Sequence, residues 1–345
     1  MKTAEQLKVR TASAAQVTKA GSKLEINKRE VGLPSSRHVL LKIQACGVCH
    51  SDSFAVEGTW PGIKFPIVPG HEIVGIVEEL GSDCKRFKKG DRVGVGWHGG
   101  HCGVCPSCRR GDFITCVNLQ TPGINFDGGY AEYGSFPEEV CAAVPAQLDS
   151  VEAAPLLCAG ITTFNALRHS GAQPGDLVAI LGLGGLGHLG VQFASKMGFN
   201  TVAIARGDDK APFAKQLGAK HYINSERQNV SEELKKLGGA KVALATVTSA
   251  KAMNPLIDGL SIDGRLVVVG ADFEPMQISP IQLISGRTSV SGWPSGTGKD
   301  SEECLEFSAL MGVRPLVERF PFKSANEAYE RMMSGKARFR AVIEF

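Results

Sequence analysis

The chain has 345 residues, of which 43% are hydrophobic, and a formal net charge of +3. This length exceeds what one hydrophobic core usually supports, so we expect two domains. The small charge and the scattered basic residues argue against a nucleic-acid partner, and no apolar run approaches the roughly 20 residues that span a bilayer. The polar N-terminal segment does not resemble a signal peptide. We therefore expect a cytoplasmic protein that binds a small molecule.

The first 150 residues contain short predicted strands, among them HVLLKIQAC and EIVGIVEEL, separated by glycine and proline turns. This pattern is typical of an all-β, barrel-like unit without a long helix. From about Asp176 the chain alternates in the order strand DLVAILG, helix 185–197, strand TVAIA, helix DKAPFAKQLG, strand HYI, helix SEELKKLG, strand VALATV, helix AKAMNPLIDGL and strand RLVVVG. The alternation predicts an α/β unit with a doubly wound parallel sheet covered by helices on both faces.

The remainder of the chain predicts two or three more strands and a C-terminal helix. The segment SANEAYERMMSGKA resembles an amphipathic helix, and the strand FRAVIEF follows it. If that strand returns to the first unit and completes its sheet, the first domain is discontinuous in sequence.

Four cysteines lie close together in one loop, at C-x2-C-x2-C-x7-C spacing: Cys102, Cys105, Cys108 and Cys116. Four thiolates at such spacing suit a closed tetrahedral zinc site, because they complete the metal's ligand shell. Two short-range disulfides are the alternative, but they belong to small secreted proteins that begin with a signal peptide. We interpret the loop as a structural zinc site.

A glycine-rich loop follows the predicted strand DLVAILG and precedes a predicted helix. It has the form G-x-G-x-x-G and comprises Gly182, Gly184, Gly185, Leu186 and Gly187. In this context the glycines allow a close backbone approach to a pyrophosphate at the positive end of the helix. The loop predicts a dinucleotide site.

The next predicted strand ends in Ala205 and Arg206, where an acidic residue that binds the ribose 2′-hydroxyl would be expected. A guanidinium at this position suits a 2′-phosphate, so NADP is favoured over NAD. Asp208 and Asp209 lie slightly later and suit the start of the following helix. The alternative is an NAD site in which one of these two carboxylates reaches the ribose.

A second metal site is suggested by Cys49 in CGVCHSD, His71 in PGHE and Cys158 in LLCAG. Two cysteines and one histidine with an open fourth position form one of the known catalytic zinc arrangements. Spacing alone does not show that these residues converge. Cys46 forms a C-x-x-C with Cys49, so either thiol is a candidate ligand.

These motifs together resemble the zinc-dependent medium-chain alcohol dehydrogenases, including the cinnamyl alcohol dehydrogenase type. The resemblance extends through GVCHSD, PGHE, the four-cysteine loop, LLCAGITT, GLGGLG and the closing arginine-containing strand. It implies a GroES-like β-barrel domain with two zincs over residues 1–155 and 296–345, and a Rossmann NAD(P)-binding domain over 156–295. It implies chemistry in the cleft between them. It also implies a homodimer or homotetramer, and Cys49 rather than Cys46 as the ligand.

The resemblance further implies roles around the catalytic zinc. Ser51 would hydrogen-bond the substrate oxygen and transfer its proton, Asp52 would orient His71, and Glu72 would lie behind the metal or take part in a buried ion pair. The implied cofactor contacts outside the glycine loop are His50, Thr162 and Arg340. The implied substrate-pocket residues are Phe54, Trp60, Trp97 and Trp293, and Phe54 replaces the histidine that ends the proton relay in many relatives. Core packing is the alternative for these four aromatic residues.

We therefore predict a zinc-dependent alcohol dehydrogenase or aldehyde reductase that transfers hydride between NADP(H) and primary alcohols or aldehydes. The same fold with NAD is one alternative, and reduction of a C=C or C=N bond is another. A zinc- and cofactor-binding protein without turnover is the alternative from a different class. The cysteines that remain, Cys46, Cys84, Cys141 and Cys304, are expected to be packed thiols.

Overall fold

The computed structural model describes residues 10–271 and 274–345. The chain divides into two compact units. Unit 1 comprises the chain up to Cys158 together with Gly296–Ala309 and Pro315–Phe345, and unit 2 comprises Ala159–Ser295 and Leu310–Arg314. None of the helices within the described residues has the length and apolar character needed to cross a membrane.

The described residues form fifteen strands, which we number in chain order. They are β1 (Arg10–Gln16), β2 (Glu25–Val31), β3 (His38–Val48), β4 (Ile73–Leu80), β5 (Arg92–Val95), β6 (Tyr133–Pro137), β7 (Ala142–Ala143), β8 (Leu177–Leu181), β9 (Asn200–Ala205), β10 (His221–Asn224), β11 (Ala240–Ala245), β12 (Leu260–Val268), β13 (Ser289–Gly292), β14 (Val317–Pro321) and β15 (Arg340–Glu344).

The α-helices in the same residues are numbered likewise. They are α1 (Asp52–Glu57), α2 (Pro106–Arg109), α3 (Ser150–Pro155), α4 (Ile161–Arg168), α5 (Gly187–Lys196), α6 (Ala211–Gln216), α7 (Val230–Lys236), α8 (Ala250–Met253), α9 (Pro280–Gly286), α10 (Gly298–Met311) and α11 (Ala325–Met333). A π-helical turn, Leu156–Gly160, connects α3 to α4.

Unit 1 is built on a seven-stranded sheet in the order β14-β15-β3-β4-β5-β7, with β6 also paired to β3. The long strand β3 pairs antiparallel with β4, and Cys46 lies opposite Ile73. The end of β3 therefore meets the start of β4, and residues just after β3 lie next to residues just before β4. The last strand, β15, pairs antiparallel with β3, with Ala341 opposite Val48, so the predicted return of the chain to the first unit is confirmed.

Unit 2 contains the predicted parallel sheet, in the order β10-β9-β8-β11-β12-β13. All five residues of β8 are buried, as expected for a strand covered on both faces. The chain runs outward from β8 to β10 and then returns to β11 on the other side of β8. Open α/β sheets bind ligands beside such a reversal, at the carboxyl ends of the strands. The loop after β8 lies at this point, and the predicted α/β fold class is confirmed.

Several helices differ from the sequence prediction, and two of them have a clear physical reason. The predicted helix AKAMNPLIDGL is a short α8 followed by a 3-10 helix over Asn254–Gly259. Pro255 lacks the amide hydrogen that a continuing α-helix needs, so the helix ends there. The 14-residue helix α10 was not predicted at all, because its apolar positions are sparse and follow a segment rich in glycine and proline.

Candidate functional site

The four-cysteine loop brings its sulfur atoms together in unit 1. The Sγ atoms of Cys105 and Cys108 lie 3.5 Å apart, those of Cys102 and Cys116 3.6 Å, and those of Cys105 and Cys116 3.9 Å. All four thiols are free, so the disulfide alternative is wrong in this structure. Zn–S bonds of about 2.3 Å place tetrahedral ligand atoms about 3.8 Å apart, and the observed distances match that spacing.

Backbone amides around this loop point at the sulfur atoms. The amides of Cys102 and Asn118 donate to the Sγ of Cys116 at 3.4 and 3.3 Å. The backbone amides of Val104 and Cys105 lower the pKa of the Cys102 thiol to about 6, whereas burial, in the absence of a metal ion, raises the pKa of Cys108 to about 12. Such donors favour the thiolate, which is the form that binds metal. The loop thus fits a metal with four sulfur ligands.

A second group of metal-binding side chains also lies in unit 1. One ligand atom from each of Cys49, His71, Glu72 and Cys158 lies within 4.8 Å of the other three. Cys49 follows β3, His71 precedes β4, and Cys158 lies in the π-helical turn. The sulfur atoms of Cys49 and Cys158 are 3.8 Å apart, again the spacing of two tetrahedral ligands.

His71 is fully buried, and its Nε2 atom has no hydrogen-bond partner among the described residues. Its Nδ1 atom lies 3.1 Å from Oδ1 of Asp52. A proton on Nδ1 that faces this carboxylate leaves the lone pair on Nε2, as a metal ligand requires. A buried nitrogen without a partner, next to two thiols, fits zinc. The thiol of Cys46 lies outside the group and donates weakly to the carbonyl of Gly47.

Asp52 is itself held by two further hydrogen bonds. Its Oδ2 atom accepts from the Cys49 amide at 2.8 Å and from the Tyr130 hydroxyl at 2.8 Å. Burial opposes protonation of His71, but the facing Asp52 carboxylate outweighs it and raises the pKa of the imidazole. Burial, and then the same carboxylate, raise the pKa of Tyr130, which keeps its hydroxyl a donor. The Asp52 carboxylate thus holds two ligands, His71 through the imidazole Nδ1 and Cys49 through its backbone amide.

Sequence reasoning missed Tyr130, although one signal for it existed. Gly70, in the PGHE motif, has φ +104°, and a Cβ there would approach the Tyr130 ring to 2.6 Å. The tyrosine ring therefore occupies space that only a glycine at position 70 leaves open. This crowding is visible only in the structure, so the glycine in PGHE is a weak signal and did not identify the tyrosine.

Glu72 and Arg340 form a fully buried ion pair through Oε1 and Nη2. Burial raises the pKa of Glu72 to about 7, and the guanidinium opposes that rise. A Cβ on Gly47 would lie 1.8 Å from Oε2 of Glu72, so the glycine in β3 leaves room for this carboxylate. The structure thus pairs Arg340 with Glu72, and the predicted contact of Arg340 with pyrophosphate stays a prediction.

Ser51 and His50 lie at the start of α1. Ser51 occupies the N-cap position, but its side chain makes no capping hydrogen bond, so the helix does not use its hydroxyl. His50 is exposed. Asp52, the next residue, is buried and committed to the metal group. The predicted proton-transfer roles of Ser51 and His50 stay predictions.

Three of the predicted pocket aromatics form a connected row that ends at His71. The ring centroids of Phe54 and Trp60 are 5.3 Å apart, those of Trp60 and Trp97 6.1 Å, and the Trp97 ring meets His71 edge-on at 5.0 Å. Trp293 belongs to unit 2, where it stacks on His169 at 4.6 Å. The row is therefore continuous with the metal group within unit 1.

The glycines of the cofactor loop differ in what surrounds them. Gly182 has φ +98°, and a Cβ on Gly187 would lie 1.9 Å from the carbonyl oxygen of Gly182. A Cβ on Gly184 would meet no protein atom within 4 Å. These are the three requirements of the dinucleotide fingerprint: a tight turn, an open approach for the pyrophosphate, and close packing of the helix. Gly185 and Leu186 complete the loop before α5.

The other predicted cofactor residues of unit 2 lie apart from this loop in sequence. Thr162 is in the first turn of α4 and is 9% exposed. Arg206 follows β9 and is exposed, and it has no ion-pair partner among the described residues. β9 and β8 are parallel neighbours, so Arg206 and the glycine loop follow the carboxyl ends of adjacent strands.

Comparisons with known proteins agree with this geometry. Residues 35–146 match the alcohol dehydrogenase GroES-like domain, and residues 185–310 match the zinc-binding dehydrogenase domain. The chain is 44% identical to the alcohol dehydrogenase patD of Penicillium expansum over 323 residues, and this match covers 94% of each chain. It belongs to the zinc-dependent medium-chain alcohol dehydrogenases. As a member of this family it is an oxidoreductase that acts on small alcohols or aldehydes with zinc and a nicotinamide cofactor.

Solved structures of the same family have the same fold. The cinnamyl alcohol dehydrogenase of Sorghum bicolor is 30% identical, with a TM-score of 0.88 over 97% of this chain and 98% of that chain. The structure of CAD from Helicobacter pylori complexed with NADP(H) is 27% identical, with a TM-score of 0.85 over 97% of this chain and 98% of that chain. The predicted family and alcohol dehydrogenase class are confirmed.

Proposed function

We propose that this alcohol dehydrogenase binds two zincs per chain, prefers NADP(H) and acts mainly as a reductase of aliphatic or aromatic aldehydes. The observation that supports this proposal most is the group of Cys49, Cys158 and the unpartnered Nε2 of His71. The four-cysteine loop is the proposed structural site. The proposed domains are residues 1–155 with 296–345, and 156–295.

In this proposal Cys49, His71 and Cys158 would hold the metal, which would supply Lewis-acid polarisation of the substrate C–O bond, and a bound nicotinamide would supply or take up the hydride. Ser51 donates its hydroxyl proton to the substrate oxygen during aldehyde reduction and accepts one during alcohol oxidation. Asp52 holds the Nδ1 proton of His71, so that Nε2 keeps its lone pair. His50 is proposed to contact the cofactor phosphate. With Phe54 at the usual end of the relay, His50 or solvent would return a proton to Ser51 during aldehyde reduction and take one from it during alcohol oxidation.

The aromatic row supports an aldehyde with an apolar body. The row runs from the proposed metal ligand His71 through Trp97 and Trp60 to Phe54, and each ring contacts the next. Aromatic walls favour planar or aliphatic groups and exclude water from the reacting carbonyl. Benzaldehyde and medium-chain aldehydes are therefore the proposed test substrates.

The proposed preference for NADP(H) depends on Arg206. Its exposed guanidinium follows the strand where an NAD-binding enzyme would place an acid, and it suits the charge and geometry of a 2′-phosphate. The NADP(H) complex of the Helicobacter relative is consistent with this choice. Thr162 and the glycine loop would contact the nicotinamide and the pyrophosphate respectively.

A homodimer or homotetramer is also proposed, through the edge of the unit 2 sheet. The outer edge of β13 pairs with no other strand among the described residues. Ile262, Ile281 and Ile284, in or beside the neighbouring strand and helix, are 69%, 62% and 71% exposed. Unpaired edges with apolar neighbours are typical sites of association. Replacing both Ile281 and Ile284 with lysine should lower the mass measured by light scattering.

The first experiment compares kcat/KM with NADPH and with NADH on zinc-replete protein, with benzaldehyde and a medium-chain aldehyde. Faster turnover with NADPH is expected, and Arg206→Ala should remove that preference. Arg287→Ala is the matched control, because Arg287 is an exposed arginine of unit 2 that pairs with Asp263. Faster turnover with NADH, or fewer than two zincs per chain by elemental analysis, would contradict the proposal.

A further inference from the structure

The loop that follows β9 is held in place by side chains of the neighbouring strand β10. The amide of Gly207 donates to Oδ1 of Asn224 at 3.2 Å, and the Tyr222 hydroxyl donates to the Gly207 carbonyl. Asn224 is buried, and Gly207 has φ +81°. Because both backbone groups of Gly207 are bonded to β10, the positions of Arg206 before it and Asp208 after it are fixed as well.

Both carboxylate oxygens of Asp208 are already engaged. Oδ1 accepts from Nδ2 of Asn224 at 2.7 Å, and Oδ2 lies 2.5 Å from Nη1 of Arg227. The Arg227 and Asp208 side chains are 76% and 57% exposed, so their ion pair contributes little to folding stability. Its main physical effect is local: it cancels the charge of the acid that lies two residues after Arg206.

This cancellation bears on cofactor choice. An acid after the second strand of such a fold binds the ribose 2′-hydroxyl of NAD and repels the 2′-phosphate of NADP. Here the first acid after Arg206 is Asp208, and Arg227, which follows β10, neutralises it. Arg206, in contrast, has no ion-pair partner among the residues that the structure describes. The loop therefore combines a free guanidinium at Arg206 with a neutralised carboxylate at Asp208, while the exposed Asp209 has no ion-pair partner among the described residues.

Building on the proposed NADP(H) preference, we propose that Arg227 is a positioning residue for cofactor choice. By pairing with Asp208, it keeps that carboxylate bonded to Asn224 and cancels its charge beside the 2′-phosphate position. Arg227 acts through Asp208 and does not itself bind the phosphate. In the structure both carboxylate oxygens of Asp208 are engaged, one by Asn224 and the other by Arg227, so Arg227 competes with a ribose hydroxyl for this carboxylate.

The test measures the binding of adenosine 2′,5′-bisphosphate and of 5′-AMP by calorimetry, so it needs neither catalysis nor zinc. In wild-type protein the bisphosphate should bind tighter. A single uncompensated carboxylate about 7 Å from a phosphate with a charge of about −1.5 weakens binding in water about fivefold. Arg227→Ala should therefore reduce the bisphosphate preference about fivefold and leave 5′-AMP affinity unchanged. The reduction should shrink as salt rises from about 0.05 M to about 0.5 M.

Three further variants separate this inference from its alternatives. Arg227→Lys should keep most of the preference, and adding Asp208→Asn to Arg227→Ala should restore it, because the uncompensated charge is then removed. Arg206→Ala is the contrast: its loss of preference should not be restored by Asp208→Asn. An unchanged preference in Arg227→Ala, or no rescue by Asp208→Asn, would overturn the role of Arg227. Equal binding of the two nucleotides by wild-type protein would instead refute the NADP(H) preference, and the inference with it.

Discussion

Removal of the Tyr130 hydroxyl is the sharpest test of how the proposed catalytic metal site is held. Tyr130→Phe keeps the buried ring against Gly70 and deletes one of the two donors to Oδ2 of Asp52. A hydrogen bond to a buried charged group contributes about 1.5–3 kcal/mol. Asp52 orients His71, and losing a partner of this kind typically weakens metal affinity about 10- to 100-fold. Because a tenfold change in affinity corresponds to about 1.4 kcal/mol, the energy of the hydrogen bond and the expected loss of metal affinity agree.

The assay follows zinc release from the purified enzyme against a chelator. Tyr130→Phe should lose the zinc at Cys49, His71 and Cys158 at about 10- to 100-fold lower chelator activity, while the four-cysteine site keeps its metal. Tyr133→Phe is the control, since the Tyr133 hydroxyl interacts with Arg10 and not with Asp52. Equal retention of the catalytic zinc in wild-type protein and Tyr130→Phe would refute the reasoning that Tyr130 fixes Asp52.

Three other predictions concern the cofactor loop, the four-cysteine site and a buried histidine. Gly187→Ala should unfold or severely destabilise unit 2, because the new Cβ would lie 1.9 Å from a backbone oxygen. Gly184→Ala should fold normally but lose NADPH binding, measured by fluorescence. Normal folding of Gly187→Ala would contradict the first expectation. Cys102→Ser should leave one zinc per chain by elemental analysis, and Cys84→Ser should leave two. Burial, and then the neighbouring His101, lower the pKa of His98 to about 4, and Asp300 opposes this shift. As the pH falls, the unfolded chain therefore binds a proton at His98 before the folded chain does. The free energy of unfolding then falls by about 1.4 kcal/mol per pH unit below about pH 6.5. Denaturation at pH 7.5 and pH 5 should show about 2 kcal/mol more loss in wild-type protein than in His98→Gln, and equal losses would exclude His98 as the cause.

The features that the sequence predicted well are those whose contacts are local. The glycine loop depends on a strand, a turn and a helix within about 20 residues, and the four-cysteine loop is shorter still. The pattern of strand, turn and helix therefore indicated the first loop, and cysteine spacing indicated the second. The parallel sheet was predictable for a similar reason, since each strand of unit 2 is a short apolar run such as β8.

The features that were missed depend on contacts between distant parts of the chain. The bond from Tyr130 to Asp52 spans 78 residues, and the pair of Glu72 with Arg340 spans 268. No local pattern indicates such partners: a buried ion pair was one of the two roles expected for Glu72, but its partner Arg340 was not identified. The convergence of Cys49, His71 and Cys158 was likewise beyond spacing alone, and only the family resemblance predicted it.

The position of β15 has a consequence for the order in which the protein can assemble. During synthesis, the whole of Ala159–Ser295 leaves the ribosome between β3 and β15, which are neighbours in the unit 1 sheet. Until β15 arrives, β3 lacks one hydrogen-bonding neighbour and Glu72 lacks the cation that compensates its buried charge. The strands of the unit 2 parallel sheet, β8–β13, are all made before β15, so this sheet can form without it. We therefore expect unit 2 to fold during translation, and the catalytic centre to mature only after the final strand is made.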